Sequence, residues 1–504
     1  MAADQPGVAM AADQQPLAGA CEQVRHRREQ RDDLGRSSAG VDKVATVTTV
    51  TASTAVPLDP SRLRQLREAV AQGMPQVRAD LEALVRIPSV SAPAFDQAHV
   101  EASAQAVADL LRGAGLQDVQ LLREGGAPAV VGHLPAPDGA PTVLLYAHHD
   151  VQPPGEDADW TSAPFEPVER AGRLYGRGAA DDKAGVMAHL AAIRAHGGRP
   201  PVGVTVFVEG EEESGSPSLG RILRRHRDKL SADVLVLADS SNWKIGVPSL
   251  TTSLRGLVEA VVEVRTLEHA VHSGMYGGAV MDALTALTRL LGCLHDDAGD
   301  VAVPGLHATE AADLDLTEAE LRADASVLEG VQLVGTGRLT SRLWTRPALT
   351  VVGIDAPSTE RASNTLQPRA TAKLSMRVAP GQDPQQAYEA LAAHLHANAP
   401  WGAQVEVTLT ETGAAFAADA RGPAYDAARA SFADAWGVAP VDMGIGGSIP
   451  FIAEFAGVFP DAAILVTGVE DPDSRAHGAD ESLHLDEFER VCLAEAVLLE
   501  RLAR

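Results

Sequence analysis

The stretch TVLLYAHHD (142–150) is an apolar run that ends in His148, His149 and Asp150, and two later runs end the same way. VGVTVFVEG (202–210) leads into Glu211, Glu212 and Glu213, and DVLVLAD (233–239) closes on Asp239. Helical spacing fills the intervals at 183–196 and 216–227. Short apolar runs separated by crossovers of this length predict a mainly parallel sheet covered by helices, an α/β fold. The pattern resumes near the end with helix 423–436, strand AAILVTG (462–468) and helix 486–503. Open α/β sheets bind ligands beyond the carboxyl ends of their strands. The polar residues after each run, with His477 on a loop after the last strand, are therefore where chemistry is expected.

Upstream, Leu63, Leu66, Val70, Val77, Leu81 and Leu84 predict a helix over 62–85 that ends before Ile87-Pro88, and a second helix is expected over 97–114. Between about 250 and 412 the style changes: GLVEAVVEVR (256–265), a long helix near 280–295, LTVVGI (349–354) and ATAKLSMRV (370–378) read as antiparallel α+β. The simplest organisation is one α/β domain, 58–249 and 413–504, interrupted by an inserted domain over 250–412. Residues 1–57, rich in Ala, Gln, Asp, Arg and Thr without a periodicity that buries a face, read as a disordered tail.

Composition narrows the class. The 504 residues carry 42 Lys plus Arg against 68 Asp plus Glu, a net charge of −26. That field repels phosphate backbones and anionic lipid heads, so neither nucleic acid nor a membrane is expected as partner. Cys21, Cys293 and Cys492 are too far apart for a CxxC pair, which suits a reducing cytoplasm. No stretch approaches ~18 consecutive apolar residues. The cluster Arg25, Arg27, Arg28 precedes polar sequence, so no signal peptide or membrane span is expected.

His148 and Asp150, two apart, point to one side of an extended chain, where the carboxylate can orient the imidazole through its second nitrogen. An isolated His-x-Asp at a strand end is equally explained by a local hydrogen bond. Asp181 and Asp182, in YGRGAADDKAG (175–185), stand at the start of a helix, where either could cap it and one could bridge two cations. Consecutive Glu211, Glu212 and Glu213 repel one another unless solvent or a cation offsets the charge. Beside a metal, two such neighbours can divide the work, one ligating and one acting as general base.

Together YAHHDVQP, GRGAADDKAG, EGEEESGS, LADSSN, HSGMYGG and AHGADES resemble the di-zinc peptidase family that contains carnosinase, bacterial dipeptidases, aminoacylase, succinyl-diaminopimelate desuccinylase and glutamate carboxypeptidase. The likeness spans roughly 60–504 and leans to the dipeptidase branch. It implies a mainly parallel di-metal catalytic domain with an inserted ferredoxin-like domain used as lid and for dimerisation. It also implies two Zn²⁺ per subunit, with Mn²⁺ or Co²⁺ as alternatives. His148, Asp181 and Asp239 would hold one ion and Asp181, Glu213 and His477 the other. By the same resemblance Glu212 is the general base, Asp150 orients His148, and His272 reaches the site of a partner in a homodimer. Arg377 would bind the carboxylate of a small peptide, with Asn364, Gly447 and Ser448 as further substrate contacts. Two features depart from the family pattern. His149 sits between His148 and Asp150, which leaves room for a one-residue error in the ligand, and Asp480 stands where relatives commonly have Asn. The expected activity is that of a dipeptidase, with N-acyl-amino-acid deacylation as the alternative.

Overall fold

The spacing upstream of Ile87 forms α1 (Pro60–Val85), which starts at Pro60 rather than Arg62 because the Asp59 carboxylate accepts the Ser61 N–H and proline needs no donor there. It buries Leu66, Val70, Val77, Leu81 and Leu84. Then come α2 (Ala98–Gly113) and a hairpin of β1 (Gln117–Leu122) with β2 (Ala129–Leu134). The structure is a computed structural model that describes residues 57–447 and 450–504. The tail expected over 1–57, Pro57 apart, and Ser448 lie outside the described residues.

The decisive runs become β3 (Thr142–His148), then, after α3 (Lys183–Ala195), β4 (Gly203–Glu209) and β5 (Val234–Leu237). Strand β3 pairs in parallel with both β4 and β5. Val143, Leu145 and Ala147 belong to the core cluster that includes residues of α1 and α3, while Leu144 and Tyr146 pack with Phe207, Leu235 and Leu237 in another. Both faces are covered, so the strand reads as a continuous apolar run without alternation. The helix expected over 216–227 is shorter, Leu219–Arg225, because the N–H of Ser218 is taken by the Glu211 carboxylate and Gly215 sits at positive φ.

β6 (Ser249–Leu254) still pairs with strands of the first sheet, so the chain leaves that sheet at Arg255 rather than at 250. It then builds β7 (Gly256–Arg265), α4 (Ala283–Leu291), β8 (Ala348–Asp355), β9 (Arg369–Val378), α5 (Pro384–Ala397) and β10 (Gln404–Gly413). The four strands pair antiparallel in the order β8-β9-β7-β10, the ferredoxin-like arrangement. Val258, Ala260, Val262 and Val264 alternate into a core with Leu287, Leu290, Leu391 and Leu395. Each fully buried valine or leucine side chain there contributes about 1.5–3 kcal/mol. The helix expected near 280–295 is cut short to nine residues, capped by Asp282 at one end and followed by Gly292 at the other.

The chain returns through α6 (Pro423–Trp436), β11 (Val441–Ile445), α7 (Pro450–Val458), β12 (Ala463–Val466) and α8 (Leu485–Leu502). The large sheet runs β1-β2-β4-β3-β5-β12-β6, with β11 and Phe416–Ala417 both on β6. It is parallel from β4 to β12, antiparallel where β1, β2, β6 and Phe416–Ala417 join, and parallel again between β11 and β6. Trp344 and Ala311, from the segment between α4 and β8, pack with Trp243 and Met443. That segment thereby borders the region beyond the ends of β5 and β11. Among the described residues no helix is long and apolar enough to cross a membrane.

Candidate metal centre

Two groups of potential metal ligands form beyond the carboxyl ends of the parallel strands: His148, Asp181 and Asp239, and Asp181, Glu213 and His477. His148 ends β3 and Asp239 lies just past β5. His148 Nε2 lies 3.1 Å from Asp181 Oδ1 and 3.8 Å from Asp239 Oδ2. His477 Nε2 lies 3.0 Å from the other Asp181 oxygen and 3.1 Å from Glu213 Oε2. Ligand atoms on one tetrahedral ion with bonds of about 2.0–2.1 Å stand about 3.3 Å apart, so these spacings fit one cation per group with Asp181 shared. The other nitrogen of His148 faces Asp150, 3.1 Å from its carbonyl and 3.4 Å from its carboxylate, which leaves Nε2 for the centre.

The geometry separates neighbours that are alike in sequence. The Glu211 carboxylate is consumed by the backbone N–H groups of Ala127 and Ser218, at 2.8 and 2.6 Å. The Glu213 carboxylate accepts from the Gln152 side chain at 2.8 Å and joins the second ligand group, while Glu212 lines the cavity in front of both groups. Asp150 holds this turn by accepting the N–H groups of Glu212 and Glu213 at 3.2 and 3.0 Å. Asp182 caps α3 through the Gly185 N–H and accepts the His148 N–H, leaving Asp181 for the centre. His149 is buried with Nε2 on the Pro128 carbonyl at 2.9 Å and belongs to neither group. Asp480 is occupied by Thr161 and Arg170.

The electrostatics are those of a centre short of positive charge. Burial pushes the Asp239 carboxyl up to about 7, with Asp181 and Glu213 adding to it. Burial, then the charge of Asp239, drives Glu212 well above the usual carboxylate range. Hydrogen bonds to Asp181 and Glu213 raise the His477 imidazole to about 11. Protons are drawn to where divalent cations would satisfy the same carboxylates.

The cavity holds about 440 Å³, with Asp181, Glu212, Asp239, Glu470 and His477 against an apolar wall of Trp344, Met443 and Ile445. Its floor depends on a close backbone approach: a Cβ at Gly468 would lie 1.4 Å from the Ser240 carbonyl oxygen. Gly468→Ala is therefore expected to force apart the loops that carry Asp239 and Glu470, costing about 3 kcal/mol and lowering kcat/KM. Urea denaturation and steady-state kinetics check this.

Five expected contacts lie elsewhere or outside the described residues. His272 is exposed, accepts the Gly274 N–H at its own Nδ1 and does not line this cavity. It neighbours Asn364, whose carbonyl accepts the Ser273 N–H, so these two are together in a second place. Arg377 lies on β9 within the electrostatic reach of Arg255, and Gly447 follows the cavity-lining Gly446. Ser448 lies outside the described residues. Two residues to which the motifs assign no role also shape the site, Arg255 outside every motif and Glu481 within AHGADES. Arg255 is buried and donates to the Gly446 carbonyl at 2.9 Å, and burial brings its guanidinium down to about 10. Glu481 pairs with buried Arg177 at 2.7 Å and accepts the N–H groups of Gly178, Ala180 and Asp181.

A large α/β sheet with paired ligand groups at its strand ends, interrupted by a ferredoxin-like sheet, defines the class of metal-dependent hydrolases acting on amide bonds. The model of peptidase family M20/M25/M40 matches residues 144–501, and the chain belongs to that family. The cysteinylglycine-S-conjugate dipeptidase of Corynebacterium striatum is 38% identical over 416 residues, covering 81% of this chain and 91% of that one. The Beta-Ala-His dipeptidase of Rattus norvegicus is 29% identical over 378 residues, 71% of this chain and 76% of that one. The structure of the dipeptidase Dug1p from Saccharomyces cerevisiae superposes with a TM-score of 0.70 at 23% identity over 88% of this chain and 98% of that one, which shows the fold.

Proposed function

We propose that the chain is a metal-dependent dipeptidase, with zinc as its ion. The observation that carries this is the sharing of Asp181 between two ligand groups directly behind a cavity that Glu212 also lines. Relatives named as dipeptidases support the substrate class. Imidazole and carboxylate donors suit zinc more than calcium or magnesium, which prefer all-oxygen sites. Ions held by His148, Asp181 and Asp239 and by Asp181, Glu213 and His477 would supply Lewis acidity for the scissile carbonyl and for the attacking water.

Glu212 has the position of the general base, taking a proton from the attacking water and returning it to the leaving amine. Asp150 fixes His148 through its second nitrogen and fixes the Glu212 backbone. Arg377 is assigned to the carboxylate terminus of the peptide, as a planar bidentate donor. A homodimer belongs to this reading, since exposed His272 needs another subunit's cavity to act on. The edge strand β8 exposes Val351, Val352 and Ile354 for such a contact. A reducing cytoplasm suits the free thiols of Cys293 and Cys492.

The zinc-loaded protein is expected to release amino acids from unblocked dipeptides and to lose at least ~100-fold of that activity after chelation, with recovery on adding zinc. Turnover of N-acyl amino acids alone would move the assignment to a deacylase. Activity that survives complete chelation would remove the metal from the reaction.

A further inference from the structure

Of the carboxylates lining the cavity, Asp181 and Asp239 belong to the metal groups and Glu212 is assigned to proton transfer. Glu470 belongs to neither metal group, and among the described residues its carboxylate has no hydrogen-bond partner. Its backbone is nevertheless fixed. The Glu470 carbonyl accepts the Asn242 N–H at 2.8 Å, its N–H donates to the Ser240 carbonyl at 3.4 Å, and it forms a parallel bridge with Ser241. Asn242 braces the same loop by donating to the Gly468 carbonyl at 3.2 Å. A carboxylate held rigidly beside other carboxylates, unpaired and in a cavity, is costly unless a cationic ligand meets it.

Which cation follows from the substrate's own geometry. In an unblocked dipeptide the ammonium nitrogen and the scissile carbonyl carbon share one Cα, which puts them about 2.5 Å apart. The acceptor of that ammonium must therefore border the metal groups. Glu470 does so, sharing the cavity with Asp239 and His477, and Ser241 lines it alongside as a second acceptor for a group with three N–H donors. An N-acyl amino acid has no nitrogen at that position, because its acyl carbonyl is the scissile one, and it leaves Glu470 unpaired.

We propose that Glu470 is the specificity residue of this site, binding the free α-ammonium of the N-terminal residue and selecting unblocked dipeptides over their N-acyl counterparts. The assignment rests on the dipeptidase reading and adds to it the group that enforces it.

The test uses alanylglycine and propionylglycine, which differ by the ammonium alone, with the zinc-loaded full chain carrying Glu212→Gln so that binding is read without turnover. Calorimetry is expected to show alanylglycine bound more tightly than propionylglycine. Adding Glu470→Gln should weaken alanylglycine about 10- to 100-fold, the range for a hydrogen bond to a charged group, while propionylglycine and the bound zinc are unchanged. Glu470→Asp, which keeps the charge, should lose less. Unchanged alanylglycine affinity, equal weakening of both ligands, or loss of zinc on Glu470→Gln would each overturn the assignment. Wild-type enzyme run in parallel separates the two levels. If it cleaves alanylglycine while Glu470→Gln binds it normally, only the Glu470 assignment fails; if it cleaves propionylglycine alone, the dipeptidase reading fails and this one with it.

Discussion

Glu212→Gln is expected to lower kcat on dipeptides by about 10²- to 10⁴-fold, the contribution of a positioned general base, with KM and bound metal nearly unchanged. The substitution keeps the shape of the side chain and removes its ability to accept a proton. Glu211 cannot substitute for it, because its two oxygens already accept the N–H groups of Ala127 and Ser218. Glu213 cannot either, since it faces His477 at 3.1 Å in the second ligand group. The turn itself should survive, because Asp150 holds it through the backbone N–H groups of residues 212 and 213. Steady-state kinetics with metal analysis decides the matter. A fall of less than tenfold would remove Glu212 from proton transfer, and a fall accompanied by lost metal would make it a ligand.

What made the fold legible was burial on both faces of β3, β4 and β5, which leaves unbroken apolar runs, and the abrupt polar residue at the end of each. The alternation in β7 and β9 made the second sheet legible for the opposite reason, one face being covered and the other not. The hairpin of β1 and β2 and strand β11 are short and carry little pattern of their own; they exist because the sheet has edges to extend. Within the site, residue types alone say that two aspartates and three glutamates stand in rows, and only the family resemblance picks Asp181, Glu212 and Glu213 from them. That choice is made by backbone partners, one local and two distant in the chain: Gly185 and His148 N–H for Asp182, Ala127 N–H for Glu211. Arg255 and Glu470 carry no motif, and only the approach of the 446 and 468 loops gives them a role.

Glu481→Gln is expected to destabilise the protein by about 3–5 kcal/mol, the cost of leaving one member of a buried ion pair without the other. Arg177 and Glu481 are both buried, 304 residues apart in sequence and 2.7 Å apart in space. Arg177 also donates to the carbonyls of His477 and Gly478, at 3.0 and 3.1 Å, so the pair ties the loop of one proposed ligand to the loop of another. Glutamine would leave the guanidinium charge unanswered. The same carboxylate accepts three backbone N–H groups around Asp181, and this separates two roles it could play. If the ion pair is the main one, Arg177→Met with Glu481→Leu should regain most of the lost stability, because apolar replacement of a buried pair is often neutral or better. If positioning of Asp181 is the main one, the double variant leaves those N–H groups unpaired at about 1–3 kcal/mol each and stays unstable, with weakened metal binding. The geometry favours the second outcome, since three acceptor contacts to the 178–181 backbone outnumber the single contact to Arg177. Denaturation of the metal-free protein alongside zinc titration distinguishes the two. Full recovery of both stability and zinc affinity in the double variant would reduce Glu481 to a counter-ion.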